Sequence, residues 1–157
     1  MRFVLFQPDI APNVGTIMRL GACLGVAVDV IEPCGFPWDA RALRRAAMDY
    51  IDRVDVTRHA SWDAFRMARP TNGDNGRLVL LTTRAERPYC DFAFRADDRL
   101  MVGRESAGVP DEVHAAADAR LRIPMQPGLR SANVALALAM VAGEALRQTQ
   151  QFPGDPA

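Results

Sequence analysis

Apolar runs of strand length alternate with helix-spaced apolar positions along this chain, and they predict most of its elements. RFVLFQ, residues 2–7, reads as a buried strand that ends at Pro8. PDIAPN follows as a loop, and Asn13 is placed to cap a helix through MRLGACL that Gly25 stops. VAVDVI, 26–31, is a second strand. EPCGFPW is a turn-rich connection, after which Asp39 caps a helix with Ala42, Leu43, Ala46 and Ala47 inward. A weak strand near 54–56 leads to a helix from Ser61 with Trp62, Phe65 and Met67 as its apolar positions, and RLVLLTT, 77–83, is a central strand. Residues 84–98 hold aromatics without a clean period and read as an ordered loop. RLMVG, 99–103, is a further strand, Pro110 opens a short helix, and ARLRI returns to the sheet.

The stretch 121–142, LRIPMQPGLRSANVALALAMVA, organises the rest. A short apolar segment ends at Pro124, a loop with Pro and Gly follows, and the chain enters a run of Val, Ala, Leu and Met that is apolar on every side. Such a helix must be buried. Ser131 and Asn133 stand at its mouth, where side-chain oxygens accept from free backbone amides. Strand, polar loop and buried helix is the layout of a ligand site at the carboxyl edge of an α/β sheet. The fold class is therefore single-domain α/β with a mostly parallel sheet flanked by helices. Residues 1–150 form the domain and 151–157 a flexible tail.

Composition removes several function classes. No apolar run reaches the roughly 18 residues of a membrane span, and the N-terminus lacks the basic, apolar and small-residue succession of a leader; a cytoplasmic protein is expected. Cys23, Cys34 and Cys90 lack metal-ligand spacing and read as reduced, structural residues, so no metal is expected. Nineteen basic residues balance nineteen acidic ones, so net charge points to no partner. All nineteen are Arg, the residue that grips phosphate bidentately. Arg41, Arg44 and Arg45 share one helix face and form a local basic patch, which also suits a plain solvated surface.

Three strand-end loops carry the candidate chemistry: Asn13-Val14-Gly15 with Arg19, residues 103–108, and residues 124–133. Each joins glycine or proline to a charged or amide side chain, and glycine lets main chain approach a ligand closely. Gly15, Gly21 and Gly25 lack dinucleotide-binding spacing, and no Walker motif is present. His59 and His114 lie outside the three loops, which argues against nucleophilic triads and for structural or surface roles.

PNVGTIMRLG, LMVGRESAGVP and LRIPMQPGLRSANVALALAM resemble, in order, the three signature motifs of the SPOUT, or trefoil-knotted, RNA 2′-O-ribose methyltransferases. With IEPCGFPWD, the RRA helix and VTRH between them, the chain is similar over about residues 2–148 to the small single-domain branch that methylates wobble nucleotide 34 of tRNA. Arg104 departs from that branch, standing where proline is common. The resemblance implies a C-terminal trefoil knot and S-adenosylmethionine as methyl donor. By matching positions Leu81, Gly103, Ile123 and Ser131 contact the donor, with Met125 beside them. Arg19, Asn13, Glu105 and Asn133 are the implied catalytic residues. In relatives the equivalent of Arg19 takes part in removing the 2′-hydroxyl proton. A guanidinium is a poor base at neutral pH, so a phosphate clamp that orients the nucleophile is the preferred role for Arg19, with general base as the second. Glu105 accepts from loop amides or faces the cationic donor, and Asn133 positions the hydroxyl. A lone domain of this size has little surface to grip tRNA, and the apolar last helix offers a face that one chain does not fully cover, so a homodimer packed partly through 131–148 is expected, with Arg41, Arg44 and Arg45 as the face that binds tRNA. Two alternatives stay open: another tRNA or rRNA ribose as acceptor, or a non-catalytic RNA-binding homodimer.

Overall fold

A computed structural model of the chain describes residues 1–39, 43, 45, 47–69 and 76–154. Six strands build one sheet: β1 Arg2–Phe6, β2 Ala27–Ile31, β3 Val56–His59, β4 Leu78–Leu81, β5 Arg99–Val102 and β6 Ala119–Leu121. Their order is β3-β2-β1-β5-β4-β6, and every pairing is parallel. From β1 the chain builds outward in one direction and then places β5 on the other side, so the order reverses between β1 and β5. Ligands of open α/β sheets bind outside the carboxyl ends at such a reversal.

A parallel sheet is covered on both faces, which is why its strands read as continuous apolar runs. Along β1, Phe3 and Leu5 enter the core beneath helices α1 (Ala11–Leu24) and α4 (Val134–Thr149). Val4 and Phe6 enter the opposite core with Trp62 and Phe65 of α2 (Trp62–Ala68) and Val113 of α3 (Asp111–Ala116). Each fully buried Leu, Val or Phe contributes about 1.5–3 kcal/mol relative to exposure. The one acid in β2, Asp29, is 2% exposed. Its oxygens are shared by Arg2 at 2.7 Å, His59 Nε2 at 2.8 Å and Arg99 at 3.6 Å, which offsets the cost of burial. His59 also meets the Phe65 ring edge-on at 5.2 Å, a structural role.

Four expectations change. Asn13 does not cap α1: the helix starts at Ala11 with Ile10 at the cap position and Pro12 in its first turn, where a missing N–H costs nothing. The Asn13 side chain is thereby released for a longer-range contact. Met67 is 86% exposed, because a helix as short as α2 buries only the Trp62 and Phe65 side. Cys23 and Cys90 are exposed, leaving Cys34 alone among the thiols in packing. Helix α4 is not buried all round, since Leu136 and Met140 are 62% and 48% exposed one turn apart. Other signals hold: Gly25 ends α1 at φ 66°, and the helix expected from Ser61 starts there, where the structure adds a cap, the Ser61 hydroxyl accepting from the Ala64 amide at 3.1 Å. Leu43 and Ala47 are buried as expected, whereas Ala42 and Ala46 lie outside the described residues. Residues 84–98 are mostly irregular, with a 3-10 turn at Tyr89–Asp91 and with Phe92 and Phe94 buried. Among the described residues no helix is long and apolar enough to cross a membrane.

Candidate active site

The carboxyl ends of neighbouring strands β5, β4 and β6 deliver Gly103, Leu81 and, two residues past its strand, Ile123 to one edge of the sheet. Above them opens a cleft of about 880 Å³ whose wall includes Leu81, Gly103, Ile123, Met125 and Ser131. Its size lies in the range of small-ligand sites. Leu81, Ile123 and Met125 supply apolar surface, while Glu105, Ser131 and Asn133 supply polar groups. The mixture fits a nucleoside with a charged tail.

Gly103 is required by backbone closure. A Cβ there would lie 2.6 Å from the carbonyl carbon of Gly108. The loop between them is drawn tight by two main-chain bonds, Arg104 N to Gly108 O at 3.0 Å and Gly108 N to Arg104 O at 2.9 Å. Gly108 takes the left-handed conformation at φ 67° that the turn needs.

Asn13 in the first turn of α1, Glu105 in the turn after β5 and Asn133 at the mouth of α4 are joined in one hydrogen-bonded line. Asn13 Nδ2 donates to Glu105 Oε1 at 2.9 Å, and Asn133 Nδ2 donates to Asn13 Oδ1 at 3.0 Å. Asn133 Oδ1 accepts from the amides of Ala135 and Leu136 at 2.9 and 3.3 Å, capping α4. Its side chain thus caps the helix and fixes Asn13 at once.

Sequence reasoning missed the residue behind this line. Asp9, in the loop after β1, accepts from the Glu105 amide at 3.0 Å and from the Ser106 hydroxyl, while its own amide donates to Glu105 Oε2 at 3.1 Å. Burial, then the facing Asp9 carboxyl, pushes the Glu105 carboxyl above its usual range. Asp9 is held down to about 2, first by its bond with the Glu105 carboxyl. Of the two, Glu105 therefore takes up a proton first as the pH falls, and Asp9 holds its charge longest. No spacing along the chain announced Asp9, because only the sheet order brings the loop after β1 beside that after β5. Thr82 and Thr83, directly after β4, also line the cleft, as does His114 of α3, whose imidazole is pushed down by loss of solvent. Nothing in spacing announced His114.

Arg19 does not line the cleft. It lies six residues beyond Asn13 on α1, about 9 Å along the helix axis. It is exposed, with Nη1 3.3 Å from Met48 Sδ and its guanidinium 5.3 Å from the Tyr50 ring centroid. Of the basic patch, Arg45 is exposed, and Arg41 and Arg44 lie outside the described residues. Among the described residues no group of three His, Cys, Asp or Glu side chains is placed to hold a metal ion.

Likeness to known proteins agrees with this architecture. The chain is 60% identical over 144 residues to the tRNA (cytidine(34)-2′-O)-methyltransferase of Beijerinckia indica subsp. indica, spanning 92% of this chain and 89% of that one. It is 40% identical over 156 residues to the enzyme of the same name from Escherichia coli strain K12, spanning 98% and 96%. A solved structure described as giving structural insights into the 2-OH methylation of C/U34 on tRNA matches with a TM-score of 0.87 at 39% identity, over 94% of both chains. The model of the SpoU rRNA Methylase family matches residues 1–143, and with nearly the whole length accounted for, the chain belongs to that family.

Proposed function

We propose that this protein transfers the methyl group of S-adenosylmethionine to the ribose 2′-hydroxyl of nucleotide 34, a cytidine or modified uridine, of tRNA. The observation that carries the reading is the 60% identity to a cytidine-34 2′-O-methyltransferase across nearly the whole chain, because fold alone hosts many acceptors. When bound, the donor supplies an electrophilic methyl group on a sulfonium. Leu81, Gly103, Ile123, Met125 and Ser131 hold it at the carboxyl edge, the main chain at Leu81, Gly103 and Ile123 reading the adenine and ribose. Asn13, kept in one orientation by Glu105 and Asn133, positions the acceptor hydroxyl. Bringing nucleophile and electrophile into near-attack geometry supplies much of the acceleration.

Arg19 grips a phosphate of the RNA and orients the nucleophile. Its place outside the cleft of its own chain supports a site completed by a second copy. The exposed Leu136 and Met140 on α4 support a homodimer packed through that helix. A C-terminal trefoil knot, RNA contact through Arg45 with Arg41 and Arg44, and a cytoplasmic location belong to the same reading. The test is methyl transfer from labelled donor to tRNA lacking ribose methylation at position 34, with the product nucleoside located by mass spectrometry after nuclease digestion. A 2′-O-methyl group at nucleotide 34 is expected; donor binding without transfer to that tRNA refutes the assignment.

A further inference from the structure

Among the described residues, the Nε of Arg104 is the one buried side-chain nitrogen or oxygen that the protein leaves without a hydrogen bond. Other shielded arginines are paired: Arg2 and Arg99 with Asp29, and Arg77 with Asp98 at 2.8 Å. An enclosed N–H without a partner costs free energy and calls for an explanation.

Three acids of neighbouring segments are already engaged. Asp9 and Glu105 hold each other's amides, and Asp111 pairs with Arg84 at 2.8 Å. The two main-chain bonds between Arg104 and Gly108 fix the backbone from which the guanidinium projects. Arg104 belongs to the wall of the large cleft and also to that of a smaller cavity of about 250 Å³, completed by Phe6, Gln7 and Pro110. Gln7 itself holds φ 44°, a left-handed conformation uncommon outside glycine. An arginine fork complements a carboxylate or a phosphate through paired N–H bonds.

We propose that Arg104 forms an oxyanion subsite beside the cleft, taking one anionic group of the reaction's own ligands, either the carboxylate of the methyl donor or a phosphodiester of the RNA. The inference rests on the methyl-transfer reading of the cleft. Its test compares the wild type with Arg104→Gln and Arg104→Lys. Calorimetry measures binding of S-adenosylhomocysteine and of methylthioadenosine, which keeps the nucleoside thioether but lacks the amino-acid tail. Binding of tRNA is followed across a series of salt concentrations, and wild-type transfer to nucleotide 34 serves as reference.

If the donor carboxylate is the ligand, Arg104→Gln weakens S-adenosylhomocysteine about tenfold and leaves methylthioadenosine unchanged. If an RNA phosphate is the ligand, both nucleosides bind as before, tRNA binding weakens, and the slope of log affinity against log salt shrinks by about 0.7–0.9. Arg104→Lys keeps the charge without the fork and restores part of either loss; it also carries the test should Arg104→Gln not fold. Unchanged binding of all three ligands overturns the inference while wild-type transfer stands, and so does equal weakening of both nucleosides, which would mean a deformed cleft. Failure of wild-type transfer defeats the functional reading instead, and the two nucleosides still report on the subsite.

Discussion

Asp9 and Glu105 hold one another reciprocally: each main-chain amide donates to the other's carboxyl group, at 3.1 and 3.0 Å, across 96 residues of sequence. The clasp bridges the loops after β1 and β5, where the sheet reverses direction. Glu105 spends its other oxygen on Asn13, so the clasp aligns the line of side chains facing the cleft. Asp9→Ala is expected to lower the single-turnover rate of methyl transfer by about 10- to 100-fold, the cost of a misplacement near 1 Å. Donor affinity measured by calorimetry should stay within a few-fold. A loss of donor affinity as large as the loss of rate would show that Asp9 merely keeps the loop folded.

The same pair gives stability a pH dependence whose sign is fixed. Asp9 is lowered from 3.8 to about 2, so the stability it contributes is full above 3.8 and is lost as the pH falls through about 2. Glu105 is raised above 4.5, so its share is full below 4.5 and is lost as the pH rises through its folded value. Between pH 3.8 and about 2 the urea midpoint of the wild type should therefore fall more steeply than that of Asp9→Asn, which has no carboxylate to protonate there. Parallel curves for the two proteins over that interval would remove the linkage.

How much of this was legible in the sequence depends on distance along the chain. Local signals were read correctly: the apolar runs of β1, β2 and β4, the Gly25 stop, the helix start at Ser61 and the Asn133 cap all act within a few residues. The Asn13 expectation failed because Pro12 already supplies a good helix start, freeing the amide for a partner 92 residues away. The Asp9 clasp was invisible for the same reason: only the sheet order brings β1 beside β5. Met67 was misjudged because a period says which residues share a face but not how much of that face a seven-residue helix covers. The exposed Leu136 and Met140 lie within a run whose sequence alone predicts burial, and here composition reported apolarity without saying what covers it.

Arg19 stands outside the wall of the cleft, and its removal should separate binding from chemistry. Arg19→Ala is expected to lower methyl transfer to tRNA by about 10²-fold or more while leaving S-adenosylmethionine affinity nearly unchanged. Rates under saturating donor, with donor binding measured separately, check the split. Equal loss of both would mean that α1 supports the donor wall through this residue.

Leu136 and Met140 should be needed for association and not for folding. Both are already exposed in the single chain, so replacing them with Glu removes no core contact. Leu136→Glu with Met140→Glu is expected to sediment as a folded monomer with unchanged circular dichroism and to lose transfer activity. A wild type that is itself monomeric at micromolar concentration would defeat the homodimer reading directly.

Gly103 tests whether the main chain, more than any side chain, shapes the donor wall. The Cβ of Gly103→Ala would meet the Gly108 backbone at 2.6, 2.8 and 2.9 Å to its C, O and Cα, closer than side-chain carbons come to anything. No rotamer relieves a clash with backbone, so the 103–108 turn must open and its two main-chain bonds lengthen. Because Glu105 sits inside that turn, its grip on Asn13 shifts with it. Strain of this kind costs about 1–3 kcal/mol, visible as a lower urea midpoint. The larger effect falls on function: donor affinity and transfer rate should drop together, unlike Arg19→Ala, where only transfer drops. Wild-type donor affinity in Gly103→Ala would mean that the donor does not rest against this turn.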